Sequence, residues 1–434
     1  MSTVDTLDKE ISQFMSSPAY AHWRARTEAA RGCLRPIRLA GQYQIARKTT
    51  GEVLHDHSGR VMVPCGTRRA SICPSCSERY AADAFHLIRA GLSGDESKGI
   101  SPAVAKAPMV FATLTAPSFG AVHSRRLSRR GYVIPCACGE RHPDADTRVG
   151  GAIDPDEYDY VAAVLWQAHV GELWRRWTVA VRRQLAMAAG IRVRDFRAEA
   201  TISYSKVAEY QKRGLVHFHA VVRIDGPDGP GSPAPDWVTT DVIGHAITAA
   251  AAQVAVETRR PSGAELVLRW GPQVDVKPID RNGGGSATIA GYIAKYATKD
   301  SGAADGCDRP LKSRDQINRV TANGHYRRMM RVAWDLGGLP RYDRLNLRRA
   351  AHRLGFRGHF LTKSQRYSVT LAELRRARQV HRMAELLASL DVTEDDITVI
   401  NHWEMTGIGH TSEAQVALAE AIGDRLRNQH NRKE

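Results

Sequence analysis

The segment Leu215-Val-His-Phe-His-Ala-Val-Val-Arg-Ile224 constrains the fold more than any other stretch of the chain. Its β-branched and apolar residues read as a buried strand. Alternate side chains of a strand share one face, so His217 and His219 project together, about 7 Å apart along the backbone. Two imidazoles on one face can bind one divalent cation if a further ligand joins them. Glu209, eight residues before His217, is the nearest upstream acid, and the turn-like Gln211-Lys212-Arg213-Gly214 could fold it back. A His, His, carboxylate set suits Mn²⁺, Mg²⁺ or Zn²⁺, with positions left open for a substrate oxygen. Taken alone, the pair is also what an amphipathic strand produces by accident, so the rest of the sequence has to decide.

A second pattern lies 75 residues downstream, in Ala290-Gly-Tyr-Ile-Ala-Lys-Tyr-Ala-Thr-Lys299. On the helix expected over 286–298, Tyr292 and Tyr296 are at i and i+4 and therefore neighbours, with Lys295 beside the first phenol. Tyrosine can act as a covalent nucleophile. Its ordinary pKa of about 10 means that it needs help near neutral pH, which a metal-polarised phosphate and a nearby ammonium would supply. Two tyrosines packed on a core with a solvated lysine is the structural alternative.

Charge narrows the partners. Lys and Arg number 62 against 46 Asp and Glu, a net charge of +16 over 434 residues. Such an excess points to a polyanion, either nucleic acid or an anionic membrane surface. The longest Ala/Val-rich run, Ala246 to Val256, is broken by Thr248 and Gln253 and is too short to span a bilayer. Met1 to Lys9 shows no basic segment followed by an apolar one, so no secretory signal and no membrane partner are expected.

The seven cysteines do not have the spacing of a secreted disulfide scaffold. Cys65, Cys73 and Cys76 form one group and Cys136 and Cys138 another, a pattern that suggests metal-bound thiolates in a reducing compartment. Cys73, Cys76, Cys136 and Cys138 would make one closed tetrahedral zinc site, with Cys65 or His142 as a substitute for one of them. Cys33 and Cys307 stand apart from both groups.

Hydrophobic periodicity organises the rest. Helices are expected over 5–14, 77–91, 156–189, 241–257 and 371–390, with Leu165, Trp166, Leu173, Trp174, Trp177 and Val181 facing a core. Strands are expected over 109–115, 199–204 and 215–224, with 265–279 strand-like and broken at Gly271-Pro272. This order gives an α+β sheet domain over 109–300. An N-terminal region with a Cys-rich element (1–108) precedes it, and a basic, mostly helical region (301–434) follows. Between Arg341 and Arg382 there are twelve Lys and Arg against two acids. Arg348, Arg349, Arg353, Arg357, Lys363 and Arg366 would contact phosphates, and the interleaved Phe356, Phe360 and Tyr367 would stack unpaired bases.

Three segments now fall into a known order. Phe111-Ala-Thr-Leu-Thr-Ala-Pro117, His217-Phe-His219 and Tyr292-Ile-Ala-Lys-Tyr296 resemble motifs 1, 2 and 3 of rolling-circle replication initiators in the HUH endonuclease superfamily. Cys65-Gly-Thr-Arg-Arg, Cys73-Pro-Ser-Cys76, Cys136-Ala-Cys138-Gly and Thr362-Lys-Ser extend the likeness to initiators of actinobacterial plasmids and integrative elements, over most of residues 60–380.

The resemblance implies an HUH-type core, an open antiparallel sheet of about five strands flanked by helices. Motifs 1 and 2 would lie on central neighbouring strands, with the motif 3 helix above the metal. His217 and His219 match the metal pair, Tyr292 the primary nucleophile and Tyr296 the second tyrosine of two-tyrosine initiators. Lys295 follows Tyr292 at the expected offset, and Glu209 resembles the third ligand in spacing. The implied cofactors are Mg²⁺ or Mn²⁺ at the nicking site and a structural Zn²⁺. The implied activity nicks one strand at a plasmid double-strand origin in the bacterial cytoplasm. It leaves a 5′-phosphotyrosine link and a 3′-OH primer, then rejoins the displaced strand. The implied partners are origin DNA, single-stranded or extruded at the nick and duplex for recognition, with host helicase and polymerase.

Other HUH enzymes are the nearest rivals. Relaxases usually carry three clustered histidines and an N-terminal tyrosine, an order this chain does not have. A two-tyrosine transposase and a non-catalytic zinc-containing DNA-binding regulator are the remaining alternatives.

Overall fold

The computed structural model describes residues 3–279, 285–298 and 310–431. The chain divides into two compact units, one formed by 1–87 together with 370–434 and the other by 88–369. The described strands are β1 (Ile37–Arg47), β2 (Val53–Val63), β3 (Met109–Leu114), β4 (Arg126–Leu127), β5 (Val133–Ile134) and β6 (Thr201–Tyr210). They continue with β7 (Val216–Asp225), β8 (Ala255–Arg259), β9 (Glu265–Arg269), β10 (Val274–Pro278), β11 (Leu361–Lys363) and β12 (Ile397–Ile408). The fold is α+β, and among the described residues every strand pairing is antiparallel. Among the described residues no helix is long and apolar enough to cross a membrane.

The unit formed by 1–87 and 370–434 holds the sheet β12-β1-β2. Its long central strand β1 pairs with β2 nearby and with β12 some 360 residues away, from Arg47↔Ile397 to Ile37↔Ile408. Gly41 is required in that ladder, because a Cβ there would meet the His402 carbonyl oxygen at 1.8 Å. Small apolar clusters close the unit. Ile45, Leu387 and Ile397 form one, and Trp23, Ala419 and Ile422 another. The helix Leu371–Ser389 begins at a capping box, with Thr370 accepting from the Glu373 amide and Glu373 accepting from the Thr370 amide. The strand β12 lies in a stretch for which the sequence suggests helices.

The unit 88–369 is built on the five-stranded sheet β10-β3-β7-β6-β11. β7 is its centre and is buried along almost its whole length, with the apolar Val216, Phe218, Ala220, Val222 and Ile224 alternating with His217, His219 and Arg223. One face, carrying Phe218, Ala220, Val222 and Ile224, is packed by the helices Tyr160–Ala188 and Thr240–Gln253 in one continuous core. Phe218 meets Trp174 and Trp270 edge-on at 5.6 Å from each, and its complete burial contributes about 1.5–3 kcal/mol. The Tyr160–Ala188 helix starts where Asp159 accepts from the Ala162 amide at 3.0 Å. The helix expected over 241–257 stops at Gln253. Ala255–Arg259 instead becomes β8 and pairs with β9, since Val254 and Val256 suit a strand once 265–269 lies alongside.

The opposite face of the sheet is polar at both ends. Glu209, His217, His219 and Thr113 occupy one end and Ser203, Arg223 and Asp225 the other, as the register Glu209↔His217, His219↔Thr113 and Ser203↔Arg223 dictates. The helix Gly285–Thr298 buries Ala290, Ile293 and Ala294, which are spaced i, i+3, i+4. Residues 280–284 and 299–309, Cys307 among them, lie outside the described residues.

Candidate metal centres and nucleophile

The β6–β7 hairpin returns Glu209 directly opposite His217. One carboxylate oxygen, Oε2, lies 2.8 Å from His217 Nε2 and 3.1 Å from His219 Nε2, and the two Nε2 atoms are 3.1 Å apart. Adjacent corners of an octahedron with bonds near 2.1 Å are about 3.0 Å apart, so the three atoms present one face of a hard-cation site. Thr113 Oγ1 is 3.0 Å from His219 Nδ1, on the side of the ring away from the cluster. That second contact fixes which ring nitrogen faces the cluster.

Tyr292 stands beside this group. Its ring meets His219 edge-on at 5.4 Å and Phe111 edge-on at 5.7 Å, while Phe111 stacks on His219 at 5.7 Å. Tyr292 is 39% exposed, which leaves its side chain accessible from outside. Lys295 is exposed on the same helix. The backbone of Tyr296 belongs to that helix, but its side chain lies outside the described residues.

Several residues that sequence reasoning did not single out position the hairpin. The fully buried Gln167 accepts from the Val216 amide at 3.0 Å and donates to the Gly214 carbonyl at 3.0 Å. Arg213 donates to the carbonyls of Pro117 and Ala116 at 2.8 and 2.7 Å, tying the turn to the end of β3. Tyr326 donates to the Lys212 carbonyl at 2.5 Å. A mid-helix glutamine carries no periodic signal, so Gln167 was not recognisable as a clamp. Arg213 could have been noticed only as a basic residue in a turn next to the histidines.

The cysteines gather differently from the single set expected. The structure does not bring Cys73, Cys76, Cys136 and Cys138 together. Cys73 and Cys76 join Cys33 and Cys65, whereas Cys136 and Cys138 join His123 and His142. The reason is local. The Arg31-Gly32 turn, with φ of 56° and 67°, delivers Cys33 to the start of the helix Pro74–Ser93, and Cys65 follows β2. Cys136 and Cys138 sit on their own tight loop, closed by a 2.7 Å bond from the Cys136 amide to the Glu140 carbonyl. In the first group Cys33 Sγ lies 3.6 Å from Cys76 Sγ and 3.9 Å from Cys73 Sγ, near the edge of about 3.8 Å that a zinc–thiolate tetrahedron requires. The amides of Leu34 and Cys65 point at Cys73 Sγ and Cys33 Sγ at 3.4 and 3.3 Å. Cys33 is therefore central to its group rather than isolated.

The basic segment is split between surface and core. Arg348, Arg349, Arg357 and Arg366 are exposed. Lys363 donates to the carbonyls of Ser364 and Gln365 at 3.4 and 3.2 Å. Arg353 stacks on Phe356 and Phe360 at 5.0 and 5.1 Å. Phe356, Phe360 and Tyr367 are buried, so the expectation that they stack unpaired bases does not hold. Arg357, His359 and Arg366 lie next to them in sequence, but the three rings themselves are buried.

A family model described as "Replication initiator protein, pSAM2" (RepSA) matches residues 19–424. A replication initiator protein of Streptomyces ambofaciens is 42% identical over 426 residues, which cover 94% of this chain and 91% of that protein. No solved structure matches the chain.

Proposed function

The chain belongs to the RepSA family of replication initiator proteins, and we propose that it nicks one strand of plasmid origin DNA by transesterification at Tyr292. The observation that carries this reading is the edge contact between the Tyr292 ring and His219, within a triad of Glu209, His217 and His219 that can hold a metal. The order of the three motifs, with their likeness to the HUH nicking enzymes, supports it.

Glu209, His217 and His219 would hold Mg²⁺ or Mn²⁺, which when bound polarises a non-bridging phosphate oxygen. The chain's own residues do the rest. The Tyr292 oxygen attacks phosphorus, the P–O3′ bond breaks, and the phenolic proton is balanced by the one gained at the departing 3′-oxygen. The products are a 5′-phosphotyrosine link and a free 3′-OH. Lys295 adds positive charge next to the phenol, where negative charge develops. Bond energy is kept in the phosphotyrosine, so a second transesterification, with Tyr296 as the available second phenol, can rejoin the displaced strand. Host polymerase would extend the 3′-OH behind a host helicase.

Arg348, Arg349, Arg357 and Arg366 would supply salt-dependent contacts to origin phosphates. The nick site would be single-stranded or extruded, because Tyr292 must reach the backbone. Cys33, Cys65, Cys73 and Cys76 would hold a structural Zn²⁺, as thiolates in a reducing bacterial cytoplasm.

The test is to incubate the protein and Mn²⁺ with a labelled single-stranded origin oligonucleotide, using wild type, Tyr292→Phe and Tyr296→Phe. The expected result is a metal-dependent covalent protein–DNA adduct that Tyr292→Phe abolishes. Loss with Tyr296→Phe alone would move the nucleophile to that residue. Tight duplex binding with no adduct from any origin-region substrate would make the protein a regulator.

A further inference from the structure

The connection from β3 to the helix Tyr160–Ala188 runs for over forty residues with two strands of two residues each. Such a length of irregular chain buries little apolar surface of its own and needs another source of order. At its centre His123, Cys136, Cys138 and His142 place their ligand atoms within 4.8 Å of one another. We propose that these four residues hold a second structural zinc, separate from the four-cysteine group, and that it braces the hairpin carrying Glu209 and His217.

The donor set is that of a closed tetrahedral site. Cys138 Sγ lies 3.3 Å and His123 Nδ1 3.2 Å from His142 Nε2. Tetrahedral edges between nitrogen and nitrogen or sulfur at zinc are about 3.3–3.6 Å. The surroundings are those of metal ligands. His142 is buried, and its other nitrogen, Nδ1, is 2.8 Å from Asp146 Oδ2, the carboxylate–histidine pairing that orients a zinc-binding imidazole. Arg148 in turn holds Asp146 through Nε and Nη2 at 3.1 and 2.9 Å. The Ser124 amide donates to Cys136 Sγ at 3.2 Å, a bond suited to a thiolate.

The bracing follows from backbone contacts. His123 exchanges two hydrogen bonds with the step Gly150-Gly151, amide to Gly151 carbonyl and carbonyl to Gly150 amide, each 2.8 Å. Gly150, at φ +94°, lies so close to the hairpin turn that a Cβ would meet the Lys212 carbonyl oxygen at 2.0 Å. A metal that fixes His123 therefore fixes Gly150 against the turn that sets Glu209 opposite His217.

The experiment measures zinc per full-length chain after exhaustive dialysis. It compares wild type, Cys136→Ser/Cys138→Ser, Cys73→Ser/Cys76→Ser and His217→Ala/His219→Ala. The expected result is two zinc ions in wild type, one in each cysteine variant, and two in the histidine variant. Retention of the wild-type count by Cys136→Ser/Cys138→Ser overturns the proposal, as does a wild-type count of one. If the cysteine variants do not fold, cobalt-substituted wild type decides. Two spectral components, one of four thiolates and one of two thiolates with two imidazoles, support the second site, and a four-thiolate component alone removes it. None of these readouts depends on whether Tyr292 nicks DNA.

Discussion

Thr113 and His219 face each other across the β3–β7 ladder, and the threonine hydroxyl lies 3.0 Å from His219 Nδ1. The contact leaves Nε2 as the nitrogen shared with Glu209 and His217. Thr113→Val keeps the shape and removes the hydroxyl. Losing such an outer contact costs about 10–100-fold in metal affinity or activity. A Mn²⁺ titration of the triad, followed calorimetrically, should show weakening of that order with the fold unchanged. Equal affinity in the two proteins would mean that Thr113 does not orient the imidazole.

At the other end of the same face, Arg223 and Asp225 are both completely buried. Arg223 bonds Asp225 at 2.8 and 3.0 Å, Ser203 donates to Asp225 at 2.7 Å, and Arg223 also reaches the carbonyls of Gly91 and Tyr367. Asp225→Ala leaves a buried guanidinium without its counter-charge, which typically costs about 3–5 kcal/mol. Urea unfolding should show a loss of that size. A loss below about 1 kcal/mol would mean that water reaches the arginine in the variant.

The grouping of Glu209, His217, His219 and Tyr292 was legible in the sequence, and so were the two local cysteine clusters, but the full membership of each cysteine group was not, for one physical reason. His217, Phe218 and His219 announce themselves through a period of two, and Tyr292 and Lys295 lie close together on one helix. Glu209 is eight residues from His217 and joined to it by a recognisable turn. Each of these relationships is local. Cys33 reaches Cys73 across 40 residues through a left-handed turn, and β1 reaches β12 across the length of the chain. No short-range pattern encodes such pairings. The five-stranded sheet falls between these cases. Its apolar strands could be read, but the short β11, only three residues long, could not.

Arg353 and Arg349 separate structural arginines from those proposed to contact DNA. Both belong to the basic segment, but Arg353 is half-buried on two phenylalanine rings and donates to the Gly358 carbonyl, whereas Arg349 is exposed. Arg353→Ala should lower stability by about 1–2 kcal/mol from the lost ring stacking. Arg349→Ala and Arg357→Ala should leave stability within about 0.5 kcal/mol of wild type. Each should weaken duplex binding and reduce the salt slope by about one. Binding isotherms at several salt concentrations would check this. An unchanged slope in Arg349→Ala would take that residue out of the DNA contact.

Lys206 gives a prediction in pH. It lies on β6 with its side chain on the core face, its ammonium 3.8 Å from the Phe218 ring centre and 5.1 Å from that of Trp174. Burial lowers its pKa from 10.5 to about 7. The ring faces favour the charged form by up to about 2 kcal/mol and offset part of that cost. Between pH 7 and 10.5 the unfolded chain carries a proton on this lysine that the folded chain lacks, so this residue makes stability rise with pH through that window. Below pH 7 the folded protein bears the whole cost of burying the ammonium. Lys206→Met keeps the aliphatic bulk and removes the charge. Its advantage over wild type should therefore be largest near pH 6, shrink steadily above pH 7 and level off past pH 10. Paired urea unfolding curves across that range isolate the effect, because every other group titrates alike in the two proteins. An advantage independent of pH would mean that Lys206 keeps its proton in the core, held there by the two rings.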